Sequence, residues 1–163
     1  MTKVTVILTA LFASSAMALS IPDQYGVIGN ITAWLGDIDC VNLFLERAAA
    51  GLSTDNLRDE AVIAWTCAED EPTRLNDLKE LPGLSKAGRD AATTLGEVFP
   101  AVPGNLTDII AHPGDKREVK KDLENINTLR CTQVLPNIDV LWAAAADLAK
   151  WPAVPAVPRP TTC

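Results

Sequence analysis

Apolar residues recur at intervals of three and four along most of the chain, and this period limits the possible folds more than any other feature of the sequence. The first such segment runs from Val27 to Ala49, and its apolar stripe consists of Val27, Ile28, Ile31, Trp34, Leu35, Ile38, Val41, Leu45 and Ala48. This spacing places the side chains on one face of a helix. No stretch alternates apolar and polar residues for long enough to indicate a strand. The sequence therefore predicts an all-α fold, a single compact bundle of five to seven helices.

Turn and cap residues divide the chain into individual helices. Gly51 follows the first apolar stripe, and Ser53 to Asp55 offer N-caps for a second helix that carries Leu57, Ala61, Ala64 and Ala68. The short connection makes these two helices antiparallel neighbours. Glu71-Pro72 is expected to open a short third helix, which Pro82-Gly83 ends.

The second half of the chain contains the same signals. Ser85 caps a fourth helix that Pro100 and Pro103-Gly104 end, and a short helix is expected over 105–111. Asp115 caps the next helix, which runs toward Pro136. Pro136 either kinks this helix or separates it from a last one, whose apolar side is formed by Ile138, Leu141, Ala145, Leu148 and Ala149.

The first residues have the pattern of an export signal. Lys3 precedes a short apolar run, which closes with Ala16-Met17-Ala18. This pattern predicts a signal peptide over residues 1–18, followed by a helical domain over 19–151. The apolar run is too short to span a membrane, so we expect a secreted protein, located outside the cell or in the cell wall, with no membrane span.

Four cysteines, an even number, lie beyond the predicted signal peptide: Cys40, Cys67, Cys131 and Cys163. In an exported chain they predict two disulfides, for which three pairings exist. Cys40 lies 12 residues before Leu52 and Cys67 lies 15 after it, so an antiparallel hairpin brings these two cysteines to the same level. This favours Cys40 with Cys67 and Cys131 with Cys163.

The last segment, 152–163, is rich in proline and ends in Cys163. Its composition favours the extended polyproline II form, in which the tail can span roughly 37 Å. That reach is sufficient to return to Cys131, because the chain from Cys131 to Trp151 covers only about 30 Å even as one helix. We therefore expect a C-terminal strap that a disulfide ties to the bundle.

Charge and residue usage exclude several functions. The chain has 14 Lys and Arg against 21 Asp and Glu, a formal charge of −7, so nucleic acid is not an expected partner. His112 is the single histidine, and it precedes Pro113-Gly114 without a nucleophile motif, which indicates a loop residue rather than part of a catalytic triad. The cysteine spacing does not suit zinc, and we predict no metal, no cofactor and no catalytic residue.

Two acidic clusters are candidates for hydrolysis or cation binding. Asp37 and Asp39 diverge by about 200° on a helix, so they do not converge on one site. Glu69-Asp70-Glu71 precedes Pro72 and more simply caps the next helix.

Other residues are candidates for recognition and modification. The tryptophans either pack in the core or line an apolar binding site; they are Trp34, Trp65, Trp142 and Trp151. Sequons at Asn30 and Asn105 are candidate N-glycosylation sites. Lys116, Lys120 and their neighbours on one helix are interrupted by acids, which favours an ion-paired surface.

Three segments carry a resemblance to known sequences: residues 27–39, residues 129–136, and Leu141 to Ala145. They resemble uncharacterised small secreted proteins of filamentous fungi that contain cysteines. Size, export signal and helical repeats give a more distant resemblance to fungal hydrophobic-surface-binding proteins and cell-wall mannoproteins. The resemblance implies secretion and brings no catalytic residues.

The leading hypothesis is a secreted, non-catalytic helical binding protein that engages a protein, a cell-wall surface or an apolar small molecule, with a fungal effector as one form of it. The first alternative is a cell-wall or surface-coating glycoprotein. The second is an acid-active hydrolase with paired carboxylates.

Overall fold

A computed structural model describes residues 24–163, and this part of the chain contains six α-helices and no strand. The helices are α1 (Gln24–Ala50), α2 (Thr54–Lys79), α3 (Lys86–Val98), α4 (Ala101–Ala111), α5 (Lys116–Leu129) and α6 (Leu135–Leu148), with a π-helical turn over Arg130–Val134. The prediction of an all-α, disulfide-stapled fold is confirmed. The predicted signal peptide lies outside the described residues.

The helices α1 and α2 form an antiparallel hairpin with the predicted caps. Gly51 ends α1 in a left-handed conformation, with a φ of +96°, and its N–H donates to the Ala48 carbonyl. The Ser53 hydroxyl accepts from the Asn56 N–H at the start of α2. Midway along the hairpin, a disulfide joins Cys40 to Cys67, as predicted.

Helix α2 continues through Pro72, so the prediction of a separate helix beginning at Glu71-Pro72 is wrong. A proline inside a helix leaves the carbonyl four residues earlier, here that of Ala68, without its usual donor. Apolar residues on both sides of the proline bury the same face of α2, and this packing keeps the helix continuous. These residues are Ala61, Ala64, Ala68, Leu75 and Leu78.

Helix α4 begins earlier than the predicted start at Asn105 and includes Pro103-Gly104. Proline is tolerated there because the N–H groups of the first helical turn have no partner within the helix. Helix α3 ends at Val98, just before Pro100, as predicted. Pro103-Gly104 instead belongs to the start of α4, so the prediction that it also ends the preceding helix is wrong.

The π turn decides whether Pro136 kinks one helix or separates two. The Leu135 N–H donates to the Arg130 carbonyl, five residues earlier, which is the bond of a π-helix. Pro136 then occupies the first turn of α6, where its missing N–H costs little. The chain is thus helical from Lys116 to Leu148, with one widened turn.

Two apolar clusters form the core. The first lies around Trp34, Trp142 and Phe99, and joins α1, α3 and α6 with the end of α2. Close packing of α3 on α6 requires Gly88, because a Cβ there would come within 2.7 Å of the Ala144 Cβ. The second cluster lies between α1, α2, α4 and α5.

The proline-rich tail crosses the bundle as an extended strap. The Val157 N–H donates to Asp139 on α6, the Pro158 carbonyl accepts from Asn42 on α1, and the Thr161 N–H donates to Glu46 on α1. A disulfide joins Cys131 to Cys163, as predicted. The strap is therefore attached at several points along its length as well as by the disulfide.

Among residues 24–163, no helix is both long enough and apolar enough to cross a membrane.

Candidate functional site

The four tryptophans do not meet at one surface. Trp34 and Trp142 are fully buried and pack edge to face with ring centroids 6.0 Å apart, so these two take the core role. Trp151 is half-buried against the first core cluster. Trp65 is 37% exposed on α2. No pocket of the described residues is therefore lined by all four tryptophans.

Both sequons lie on helices with their amide nitrogens already hydrogen-bonded. The Asn30 Nδ2 donates to Asp77 at 2.9 Å, and the Asn105 Nδ2 donates to the Ala101 carbonyl at 2.6 Å. Both side chains are half-buried. Glycosylation at either position stays a prediction.

The two acidic clusters considered as hydrolytic sites lie close enough for their charges to interact, Asp37 with both Asp70 and Glu71, and they are partly neutralised by arginines. Asp37 forms an ion pair with Arg74 at 3.2 Å, while Asp39 and Glu69 are exposed. Burial raises the pKa of Asp37, and the bond to Arg74 opposes that rise.

Glu71 belongs to a buried polar network that was not predicted from the sequence. Its carboxylate accepts from Arg130 at 3.0 Å, and Arg130 also donates to the Asn42 side chain at 3.0 Å. Burial raises the pKa of Glu71, and the Arg130 guanidinium opposes that rise. The signal was present in the sequence, because Glu71 and Arg130 both fall on the apolar stripes of their helices. The network joins α1, α2 and the π turn, and Asn42 extends it to the strap.

Several carboxylates line a shallow depression together with His112. The sequence indicated His112 as a loop residue. Asp108, Asp115 and Glu118 line the depression with His112. Asp115 already caps α5 by accepting from two backbone N–H groups, and Glu118 pairs with Lys121 at 3.1 Å. Within residues 24–163, no group of three or more such side chains is placed to hold a metal ion.

Asp122, one turn beyond Glu118, is only 2% exposed, and its Oδ2 atom has no hydrogen-bond partner. Burial raises its pKa, and the charges of Asp108 and Glu118 raise it further. An ionised carboxylate in this position opposes folding.

The best candidate for binding is a groove of ≈ 430 Å³ between the end of α1, the α1–α2 turn and α5. We call it the α1–α5 groove. Its lining residues are Ala48, Ala49, Gly51, Leu52, Thr54, Leu57, Pro113, Lys116, Val119, Lys120, Leu123, Glu124 and Asn127. The volume is within the range of about 300–1,000 Å³ that is common for small-molecule sites.

The floor of the α1–α5 groove is the uncovered edge of the second core cluster. Leu57 and Val119 are buried in that cluster, whereas Ala48, Leu52 and Leu123 pack against it and are only half-buried. These half-buried side chains present apolar surface that a ligand can cover. Covering such surface is favourable by about 25 cal/mol per Å².

The sequence explains why the groove is open. Helix α1 ends in Ala48 and Ala49 followed by Gly51, so one wall has almost no side-chain bulk. Helix α5 packs chiefly on α4, which leaves a gap between α5 and the α1–α2 turn. At the far end of the groove, Asn127 accepts a hydrogen bond from Thr162 of the strap at 2.8 Å.

Lysines stand at the rim of the α1–α5 groove. Lys116 forms no ion pair with the described residues, and Lys120 is 3.7 Å from Glu124. Both side chains of the Lys120–Glu124 pair are mostly exposed, and such pairs contribute little. The ion-paired surface expected on this helix is therefore present around Glu118 and Glu124, but it does not include Lys116.

A second groove, of ≈ 510 Å³, lies between α2 and α3. Its apolar floor is formed by Leu75, Ala92 and Phe99, which are already at least 95% buried. It therefore exposes less apolar surface than the α1–α5 groove, and we prefer the latter.

Comparison of the chain with models of protein families, with curated protein sequences and with solved structures finds no match.

Proposed function

We propose that this protein is a secreted, non-catalytic binding protein and that the α1–α5 groove holds an apolar small molecule. The observation that carries this proposal is the floor of the groove, where Leu52 and Leu123 lie half-buried at the edge of a buried apolar cluster. A long apolar ligand that lies on this floor completes the burial of the cluster.

Two features support the proposed location. The two disulfides use all four cysteines, and disulfides persist in oxidising compartments outside the cytosol. The apolar run between Lys3 and Ala16-Met17-Ala18, the pattern of an export signal, predicts the same compartment. An effector with this fold would deliver a small apolar molecule to a host or remove one from it.

The experiment that tests the proposal measures binding of a neutral apolar dye, N-phenyl-1-naphthylamine, by its fluorescence. Ala49 is exposed and lines the groove, so Ala49→Phe fills it. Ala50 is exposed in the same helical turn and does not line the groove, so Ala50→Phe is the matched control. We expect the dye to bind the native protein and the control, and to lose most of its affinity for Ala49→Phe. Absence of dye binding, or equal binding by both variants, contradicts the proposal.

The surface-coating alternative has an observation of its own. Leu43 and Ile63 are 48% and 60% exposed, and they lie at the same level on α1 and α2, one turn from the Cys40–Cys67 disulfide. A coating protein uses such apolar side chains to adsorb without selectivity. Leu43→Ser combined with Ile63→Ser is then expected to abolish adsorption to a hydrophobic surface, whereas a groove-binding protein keeps its dye affinity in the same variant.

The third proposal is acid-active hydrolysis. The carboxylates in the depression around His112 are the candidate catalytic groups for it. Asp108 is the carboxylate there that neither caps a helix nor forms an ion pair with the described residues. Release of reducing sugars from wall polysaccharides at acidic pH by the native protein, but not by Asp108→Asn, would establish this activity.

A further inference from the structure

We infer that the ligand of the α1–α5 groove is a single-chain carboxylate, with its tail on the apolar floor and its carboxylate at Lys116. This inference rests on the proposed function, because it names the ligand class of the same groove. Three features support it: the direction of the groove, the distribution of charge along it, and the lack of an unpaired cation among the described residues at its far end.

The groove follows α5 along its length. Its lining residues on that helix recur at intervals of three and four, from Lys116 through Val119 and Leu123 to Asn127. Residues at this spacing share one face of a helix, so the groove is a channel parallel to the α5 axis. From Lys116 to Asn127 the axis covers about 16 Å, which matches an acyl chain of about a dozen carbons.

The charges that line the groove are unequal at its two ends. Lys116, at the start of α5, has no ion-pair partner among the described residues, and Lys120 lies one turn further on the same side. Glu124 lies two turns beyond Lys116 and pairs with Lys120. An anionic head group is therefore attracted to the Lys116 end and repelled from the Glu124 end, which sets the orientation of the ligand.

The lysine side chains, and not the end of the helix, supply this attraction. The N–H groups of Arg117 and Glu118, which could otherwise bind an anion at the start of α5, donate to the Asp115 side chain. The protein carries a formal charge of −7, so its overall field does not attract anions. An unpaired ammonium beside an apolar channel is thus a local feature that complements a carboxylate.

The far end of the channel is lined by Asn127, a polar residue whose side-chain oxygen is already paired. Asn127 accepts the hydrogen bond of Thr162, which the Cys131–Cys163 disulfide holds in place. This end presents no unpaired cation to a head group. An apolar chain terminus fits there, so the ligand is a single tail with one anionic end.

The experiment measures displacement of N-phenyl-1-naphthylamine by three ligands with the same tail: dodecanoate, dodecanol and dodecyltrimethylammonium. All are used as monomers at pH 7 and low salt. We expect dodecanoate to displace the dye at concentrations about fivefold lower than dodecanol, which corresponds to about 1 kcal/mol. Dodecyltrimethylammonium is expected to be the weakest ligand.

The variants assign this preference to one side chain. Lys116→Gln is expected to remove the preference for dodecanoate over dodecanol, with both displacements referred to the dye affinity of the same variant. Lys121→Gln is the matched control, because Lys121 is on the same helix, is exposed and does not line the groove. We expect it to keep the fivefold preference, and we expect 0.5 M salt to reduce that preference in the native protein.

The possible outcomes separate the two proposals. If dodecanoate and dodecanol displace the dye equally, and Ala49→Phe still weakens dye binding, the carboxylate inference is overturned and the proposed function stands. A preference for dodecanoate that survives Lys116→Gln also overturns the inference. If neither the dye nor any of the three ligands binds, both the inference and the proposed function are overturned. The same holds if the protein sediments with anionic vesicles but binds no monomeric ligand.

Discussion

Arg130 shows how a single buried side chain joins several elements of this fold. Arg130 is fully buried and bonds to groups on α1 and α2, and its neighbour Cys131 holds the strap. A buried ion pair recovers its desolvation cost only while both partners are present. The contribution of the Arg130–Glu71 pair to stability is therefore measured by replacing both partners together rather than one alone.

We predict that breaking this pair is costly and that replacing both partners is less so. Glu71→Leu or Arg130→Met alone should lower the free energy of unfolding by about 3–5 kcal/mol, because each leaves one uncompensated buried charge. The double variant should be more stable than either single variant, as measured by urea denaturation. Lys86→Gln is the control, because its ion pair with Asp90 is exposed and its loss should change stability by less than about 1 kcal/mol.

Asp122 provides a prediction about pH. Burial, followed by the charges of Asp108 and Glu118, raises its pKa in the folded protein above the unfolded value, and Lys121 opposes the rise. The folded state therefore binds the proton more tightly, so ionisation of Asp122 opposes folding. The penalty is complete above the raised pKa and disappears below the ordinary carboxyl pKa.

Asp122→Asn should accordingly be more stable than the native protein at pH 7, and the difference should shrink as the pH falls toward about 4. Urea denaturation across this range measures the effect, with Asp59→Asn, an exposed residue of α2, as the control. A difference that grows as the pH falls would mean that the pKa of Asp122 is lowered by folding, contrary to this prediction.

At the scale of elements, Pro72 is the residue whose own conformational preference most clearly opposes the helix that contains it. It interrupts the hydrogen bonding of α2, yet the helix continues because its apolar face is buried on both sides of the proline. We expect Pro72→Ala to raise the free energy of unfolding by about 1–2 kcal/mol, since it restores a donor for the Ala68 carbonyl.

Pro103→Ala is the matched control for this substitution. Pro103 lies in the first turn of α4, where a proline costs no helical bond, so we expect a smaller change in thermal unfolding. An unchanged or lower stability of Pro72→Ala would show that the restriction the proline places on the unfolded chain outweighs the missing bond.

The elements were predictable to the extent that local rules decide them. The caps at Ser53, Ser85 and Asp115 and the left-handed Gly51 are where the sequence indicates them, because each acts on its own backbone. The continuity of α2 was not predictable, because it depends on burial against α1 and α4 that the local sequence does not contain.

At the scale of the whole molecule, the two disulfides carry a large share of the stability. They join cysteines separated by 27 and 32 residues, and loops of that length correspond to about 3.5 kcal/mol each in the chain-entropy description. We predict a loss of this size for Cys40→Ser with Cys67→Ser, and again for Cys131→Ser with Cys163→Ser, as measured by urea denaturation.

The two pairs of variants should differ in what becomes mobile. Loss of Cys131–Cys163 should raise hydrogen exchange in the strap, beginning with the Val157 and Thr161 amides, because side-chain contacts alone then hold it. Loss of Cys40–Cys67 should leave strap exchange unchanged. Equal protection of the strap in both variants would show that its hydrogen bonds suffice to fix it.

The candidate groove was not predictable from the sequence. Gly51 and Lys116 are far apart along the chain, and only the way α5 packs on α4 places a gap between them. The tryptophans are conspicuous in the sequence, yet Trp34 and Trp142 serve the core. The residues that line the groove are ordinary alanines, leucines and lysines, which carry no motif.

The order of the disulfides along the chain has a consequence for biosynthesis. Cys40 and Cys67 both precede Cys131 and Cys163, so the two covalent loops follow one another without overlap. A polypeptide that enters an oxidising compartment with its N-terminal part first exposes its first two thiols as a native pair, before any competing thiol has arrived. Vectorial entry thus selects one of the three possible pairings, and a chain refolded from full length in the test tube has to sort all three.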